Sequence, residues 1–212
     1  LARQQQVALL GLAFALLQAL EMFGATLNRV NERQFDITPA NQGVFNLGTL
    51  VNYTLDSLLA TLLAAFLLAL CLLLAQNQAA FLPDALQIGV GLGFLVHLLS
   101  NLIGNYNSLF EADPALDTLY DVLEIILAQL WYWVMGLTFF GLARSFIAAK
   151  NRPLALWTGV FGLLFLGLGM SIGAQGTWTP IADLMRYIGP GLWAAPTAAL
   201  LWISPPIARP LG

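Results

Sequence analysis

The sequence predicts an all-α fold: one domain, residues 1–212, forming a polytopic transmembrane bundle of six helices with a short amphipathic surface segment between the first and second. Three observations predict it. Only 9% of the residues are charged and 59% are hydrophobic, with a mean hydropathy of +0.78. A soluble domain carries about 25% charged residues, so too few remain here to solvate a surface. Apolar runs recur at about the 20-residue length that a bilayer core requires. The few ionisable residues inside those runs also fall at matching depths.

Span 1 is expected at 7–24, after Arg3 and a run of three glutamines. It is long and lacks a small-residue cleavage pattern, so no signal peptide is expected. The chain opens LARQQQ rather than with Met, and the native start is expected to lie upstream. Residues 25–48 mix Asn28, Arg29, Glu32, Arg33, Asp36 and Pro39 with spaced apolar side chains. That mixture suits a short helix or loop on the membrane surface. Span 2, 50–74, ends at a Gln76-Asn77-Gln78 stop. Pro83 and Asp84 then open span 3, 84–104, as ordinary helix-start signals. An acidic loop, 105–118, leads to span 4 at 119–143. A basic turn with Arg144, Lys150, Arg152 and Pro153 leads to span 5 at 154–173. Pro180 opens span 6 at 181–203.

Basic residues flanking the spans set the orientation. Arg3, Arg144, Lys150, Arg152 and Arg209 share the side of the amino terminus, against Arg29 and Arg33 on the other. Both termini are therefore expected in the cytoplasm. The net charge is -3 without a basic block. Nucleic acid is thus an unsuitable partner, since phosphate binding needs clustered Lys and Arg. The single cysteine, Cys71, excludes an internal disulfide and reads as a small buried hydrophobe.

Span 3 carries the most informative pattern. Gly89, Gly93, His97, Asn101 and Asn105 recur every fourth residue and share one helical stripe, small at one end and polar at the other. With alternating span directions, Glu21 of span 1, Asp56 of span 2, Glu124 of span 4 and Arg186 of span 6 fall in the same outer third, near the depth of His97. A charge at mid-bilayer costs about 2.5–3.5 kcal/mol, which favours pairing Arg186 with Glu124, Asp56 or Glu21. Three carboxylates against one arginine leave surplus negative charge, to be balanced by a proton, a cation or His97. The candidate ligand, proton or ion site is therefore Glu21, Asp56, His97, Asn101, Asn105, Glu124 and Arg186. The competing reading is interhelical glue with snorkelling toward the headgroups. His97 has three readings: a hydrogen-bonded packing residue, a binding or proton-transfer group, or the single axial ligand of a haem or chlorin. A bis-histidine haem is impossible with one histidine.

Gly89, Gly93, Gly159 and Gly162 are expected to permit close helix contact. GVGLG is no nucleotide loop, because it lies within an apolar span without a preceding strand or a lysine. Trp157, Trp178 and Trp202 suit interface belts, while Trp131, Trp133 and Trp193 lie deeper, as core or pocket lining. The NYT at Asn52 matches a glycosylation pattern but sits against the membrane. No metal set, HExxH or GxSxG is present, which disfavours an enzyme.

The Asp-containing start of span 2 (NYTLDSLLATLLAAFLLAL), WYWVMGLTFFGLARSF, and the Pro- and Gly-bearing RPLALWTGVFGLLFLGLG together resemble an uncharacterised family of bacterial six-helix integral membrane proteins. The resemblance spans about two-thirds of the chain and implies a fold and a bacterial inner-membrane location, not an activity. The expected function is non-enzymatic. The chain would be an accessory subunit packed against membrane lipids and other membrane proteins, with a polar pocket in the outer leaflet for a lipid, a quinone or a (bacterio)chlorophyll-type pigment. The alternatives are a small proton-coupled carrier and an intramembrane enzyme acting on lipid.

Overall fold

The computed structural model describes residues 2–32, 42–75, 81–109, 114–176 and 180–204. The side chains of helical residues 24–32, 42–53, 81–83, 104–109, 114–117, 120 and 183 lie outside that description. Among the described residues every regular element is a helix: α1 Arg3–Glu32, α2 Gln42–Leu74, α3 Phe81–Leu109, α4 Pro114–Ala148, α5 Arg152–Gln175 and α6 Pro180–Ile203. Five of them, α1 to α5, are long and apolar enough to cross a membrane. α6 is also 24 residues long, but Asp183 and Arg186 interrupt its apolar run and Pro190 and Pro196 lie inside it.

The helices outrun the expected spans. α1 continues to Glu32 and α2 begins at Gln42. The surface segment expected at 25–48 is thus largely helical, and its middle, 33–41, lies outside the described residues. The expected loop at 105–118 shrinks in the same way, because α3 runs to Leu109 and α4 starts at Pro114. Hydropathy marks where a chain can face lipid, whereas the helical ladder needs only good helix formers and no internal breaker. Ala25–Glu32 contains neither Gly nor Pro. Pro114 suits a first turn, where its missing N–H is not needed.

Short connections make consecutive helices antiparallel neighbours. Each packs on the next in chain order, and α6 packs on α1 to close a ring. One end of the ring is fastened by side chains. Gln4 Nε2 donates to the carbonyls of Leu201 (2.6 Å) and Ser204 (3.1 Å), joining the start of α1 to the end of α6. Asn151 accepts from the Leu154 N–H at 3.3 Å as the N-cap of α5, and its Nδ2 donates to Ser204 Oγ at 3.3 Å. Lys150 turns the chain between α4 and α5 at φ 58, a left-handed conformation that ordinarily favours glycine. Arg3, Arg144, Lys150 and Arg152 are exposed at this end.

The outward faces are apolar. Leu16 is 63% exposed, Leu102 65% and Leu156 73%, an arrangement that water would penalise over so large a patch. The interior is filled mainly by aromatic rings. Tyr132, Phe165, Phe139, Trp193 and Phe66 stack in succession with centroids 5.3, 5.3, 4.7 and 5.6 Å apart. Trp193 is fully buried, and its indole N–H donates to Thr158 Oγ1 at 3.3 Å. Cys71 is buried among leucines.

Three of the four expected contact glycines meet their neighbours closely. A Cβ on Gly162 would come within 3.2 Å of the Gly136 carbonyl oxygen, so α5 and α4 touch backbone to backbone there. A Cβ on Gly89 would lie 2.8 Å from Thr138 Oγ1. Gly93 faces the flexible Met135 Sδ at 3.1 Å, and Gly159 has ordinary room, with Ala143 Cβ at 3.8 Å.

Candidate functional site

The polar residues gather at the end of the ring opposite the fastened one. α1 brings Gln18 and Glu21 there, α2 Asp56, α3 His97, Ser100 and Asn101, α4 Glu124, and α6 Arg186. Helical spacing explains each placement. Gln18 and Glu21 are three residues apart, as are His97 and Ser100, so each pair shares a face.

Arg186 is the centre of the group. Its Nη1 lies 3.5 Å from Glu124 Oε1. Its Nη2 donates to Ser100 Oγ at 3.2 Å and to Asn101 Oδ1 at 3.3 Å. A planar guanidinium with several donors suits such divided contacts. Because Asn101 Oδ1 accepts from the guanidinium, the orientation of its amide is fixed and Nδ2 must be the other end. That Nδ2 points toward Asp56 but is buried without closing a hydrogen bond.

Asp56 lies beside His97, with Nε2 and Oδ2 3.3 Å apart, and within electrostatic range of Arg186 and of Glu21. The separation is that of an ion pair, but the His97 Nε2 geometry falls outside hydrogen bonding. The other side of the imidazole meets Trp131, ring centroids 5.9 Å apart. Nε2 thus faces the Asp56 carboxylate. Glu21 is buried, and no ion pair reaches it among the described residues. Asn105 is part of α3, with its side chain outside the described set. Among the described residues no group of three or more His, Cys, Asp or Glu is arranged to hold a metal ion.

Gln18, Asp56, His97 and Arg186 form the head of an open-sided cleft of about 460 Å³. Its walls below them are apolar, and Pro190 of α6 forms part of them. Proline has no N–H to give the carbonyl four residues back, that of Arg186, which breaks the ladder beside the guanidinium. A second, smaller cavity of about 190 Å³ lies on the Ser100 side, sharing His97, Trp131 and Arg186 with the first. Those three side chains are the partition between the two. Beyond the cleft the interior closes over Phe66, Leu70, Phe139 and Trp193, all fully buried.

The structure thus joins six of the seven candidate residues at one end of the bundle. Arg186 takes Glu124 as its carboxylate, while Asp56 takes His97. Ser100 belongs to the group without having been singled out, and Gln18 joins it from the Glu21 face of α1. Ser100 is three residues from His97, and a stripe read in steps of four passes over it. Of the tryptophans, Trp131 lines the cleft, Trp193 is core and Trp133 is 41% exposed. Trp178 lies outside the described residues. Comparisons of the chain with protein-family models, with curated proteins and with solved structures gave no match.

Proposed function

We propose that the protein is a non-enzymatic, six-span integral membrane protein that holds an amphipathic ligand in this cleft and serves as an accessory subunit of a larger membrane complex. The observation that carries the binding reading is the convergence of polar side chains from four helices on the head of one apolar-walled cleft, with Glu124 of a fifth paired to Arg186 there. Buried ion pairs add little stability over apolar packing, so their retention in a lipid-facing bundle argues for use. The sixth span is supported by the outward face of α6, where Ile181 is 64% exposed, Leu184 52% and Ile203 76%. The bacterial inner membrane is the proposed location. Exposed Arg3, Arg144, Lys150 and Arg152 at the fastened end support cytoplasmic termini. The cleft head then faces the outer leaflet. The subunit role rests on the near absence of soluble loops large enough to act alone.

Native mass spectrometry on protein extracted gently from its own membrane tests both parts. Additional subunits and a bound adduct of lipid, quinone or pigment mass are expected. A bare protein would sink the reading. A second reading, a proton-coupled carrier, is favoured by the Asp56–His97 pair within a cleft that touches a proline-broken helix. It predicts solute flux in vesicles that Asp56→Asn abolishes. The closed aromatic layer under the cleft weighs against it, because access runs to one side only.

A further inference from the structure

The turn between α4 and α5 closes on its own backbone. The Asn151 N–H donates to the Phe146 carbonyl and the Lys150 N–H to that of Ile147, both at 2.9 Å. This pair of bonds ends a helix on a left-handed residue, a place ordinarily given to glycine. Lys150 occupies it at φ 58, with its side chain exposed. Asn151 then caps α5 and reaches Ser204. The corner is thus fixed on both sides, and it presents an ammonium where glycine would fit more easily.

Two arginines share the outward side of this corner. Across the α4–α5 seam Gly159 faces Ala143, whose Cβ is 3.8 Å from where a glycine Cβ would lie. Arg144 is next in the chain, about 100° further round α4, and is exposed on the outward stripe with Leu137 and Ala148. Arg152 precedes Gly159 by two helical turns on the same face of α5 and is exposed as well. The two therefore flank the end of one seam, with Arg152 about 10 Å nearer the helix ends. Exposed leucines and isoleucine continue the seam toward the bilayer: Leu137 and Ile147 on α4, Leu156 and Leu163 on α5. No ion pair or side-chain hydrogen bond reaches Arg144, Lys150 or Arg152 among the described residues. α5 contains no Asp or Glu, and those of α4 all lie toward its other end. Asp84, the acid at this end, comes two residues before the Leu86 that packs on Gly141, and so lies on the far side of α3.

Three cations without a counter-charge thus stand over an apolar groove on the outward surface. A lipid-facing arginine is costly unless an anion or water meets its guanidinium, and an arginine fork matches a phosphate. We propose that the outward end of the α4–α5 seam binds one anionic phospholipid, its phosphate among Arg144, Lys150 and Arg152 and an acyl chain along Leu137 and Leu156. A free phosphate would satisfy the cations but leave the groove beneath them unused. This rests on the membrane-spanning reading above and is independent of what fills the cleft.

The test uses the whole protein, freed of lipid in a neutral detergent, with native mass spectrometry reading the affinity of the first adduct. The probes are dilauroyl phosphatidylglycerol, chain-matched dilauroyl phosphatidylcholine and water-soluble glycerol 3-phosphate. A basic residue near a membrane surface adds about fivefold to anionic-lipid affinity. Phosphatidylglycerol is therefore expected to bind about tenfold or more tighter than phosphatidylcholine, and glycerol 3-phosphate not to bind. Arg144→Gln and Arg152→Gln should each weaken phosphatidylglycerol about fivefold, with circular dichroism showing each variant folded. Arg3→Gln, at the same end but on α1, and Ala64→Phe in the cleft should leave it unchanged. Equal affinity for the two phospholipids, or indifference to both arginine variants, would overturn the site. Glycerol 3-phosphate binding as tightly as phosphatidylglycerol would overturn the acyl groove. An equal loss in Arg3→Gln or Ala64→Phe would overturn the location. A chain that fails to enter phosphatidylcholine nanodiscs would overturn the membrane reading itself.

Discussion

Arg186 illustrates how one residue can organise a membrane interior. It takes acceptors from two helices through Glu124, Ser100 and Asn101, so the loss of any one removes a charge-assisted contact. Hydrogen bonds to charged groups are worth about 1.5–3 kcal/mol, and Asn101→Leu should lower stability by that amount. Thermal denaturation in detergent would register it as a lower midpoint, and an unchanged midpoint would show that Arg186 does not need the amide. Lys150 makes the opposite case. It holds φ 58 while exposed, and Lys150→Gly should raise stability by about 1 kcal/mol in the same assay. At this scale the sequence was legible where one regular spacing sufficed. Reading α3 in fours found His97 and Asn101. It could not find Ser100, which faces Arg186 through a step of three, nor tell that Asp56 would pair with His97 and leave Glu124 to Arg186. Partner choice depends on the rotation of each helix about its axis, and apolar helices exposed on many sides carry little periodic signal to fix it.

The pairing of α4 with α5 shows how elements are held. Gly162 lets the α5 backbone approach the Gly136 carbonyl, and a carbonyl fixed in a helix cannot step aside. Gly162→Ala should therefore destabilise by about 1–3 kcal/mol as overpacking. Gly159→Ala, three residues earlier and with 3.8 Å to its nearest neighbour, should be nearly neutral. Equal effects in a denaturation series would show that the contact does not depend on Gly162. Both glycines stood out alike in the sequence, because composition marks a small residue and not what lies opposite it. The ends of the elements extend beyond the apolar spans for a related reason. Residues 25–32 and 105–109 are polar enough to leave a bilayer, and their backbones continue the helices that precede them. Asn151 lies in the basic turn before Pro153. Its side chain caps α5, and Asn151→Ala should cost about 1 kcal/mol.

For the whole molecule, composition alone carried the helical class, since 59% hydrophobic and 9% charged residues leave no soluble alternative of ordinary design. The closure of the ring was not legible. Short loops make sequence neighbours into spatial neighbours, but nothing in α1 or α6 separately announces that Gln4 will cap the carbonyls of Leu201 and Ser204. The depth match of Glu21, Asp56, His97, Glu124 and Arg186 was the one long-range signal, because desolvation cost drives charged groups in a membrane toward one another. The candidate site depends on that convergence. It is tested most directly by oxidative crosslinking of paired cysteines in a Cys71→Ser background, in the native membrane. Asp56→Cys with His97→Cys, and Ser100→Cys with Arg186→Cys, should crosslink efficiently within one chain, joining α2 to α3 and α3 to α6. Leu58→Cys with Leu95→Cys, 51% and 52% exposed on outward faces, should not. Efficient crosslinking of the outward pair with none in the two inward pairs would contradict a shared polar interior.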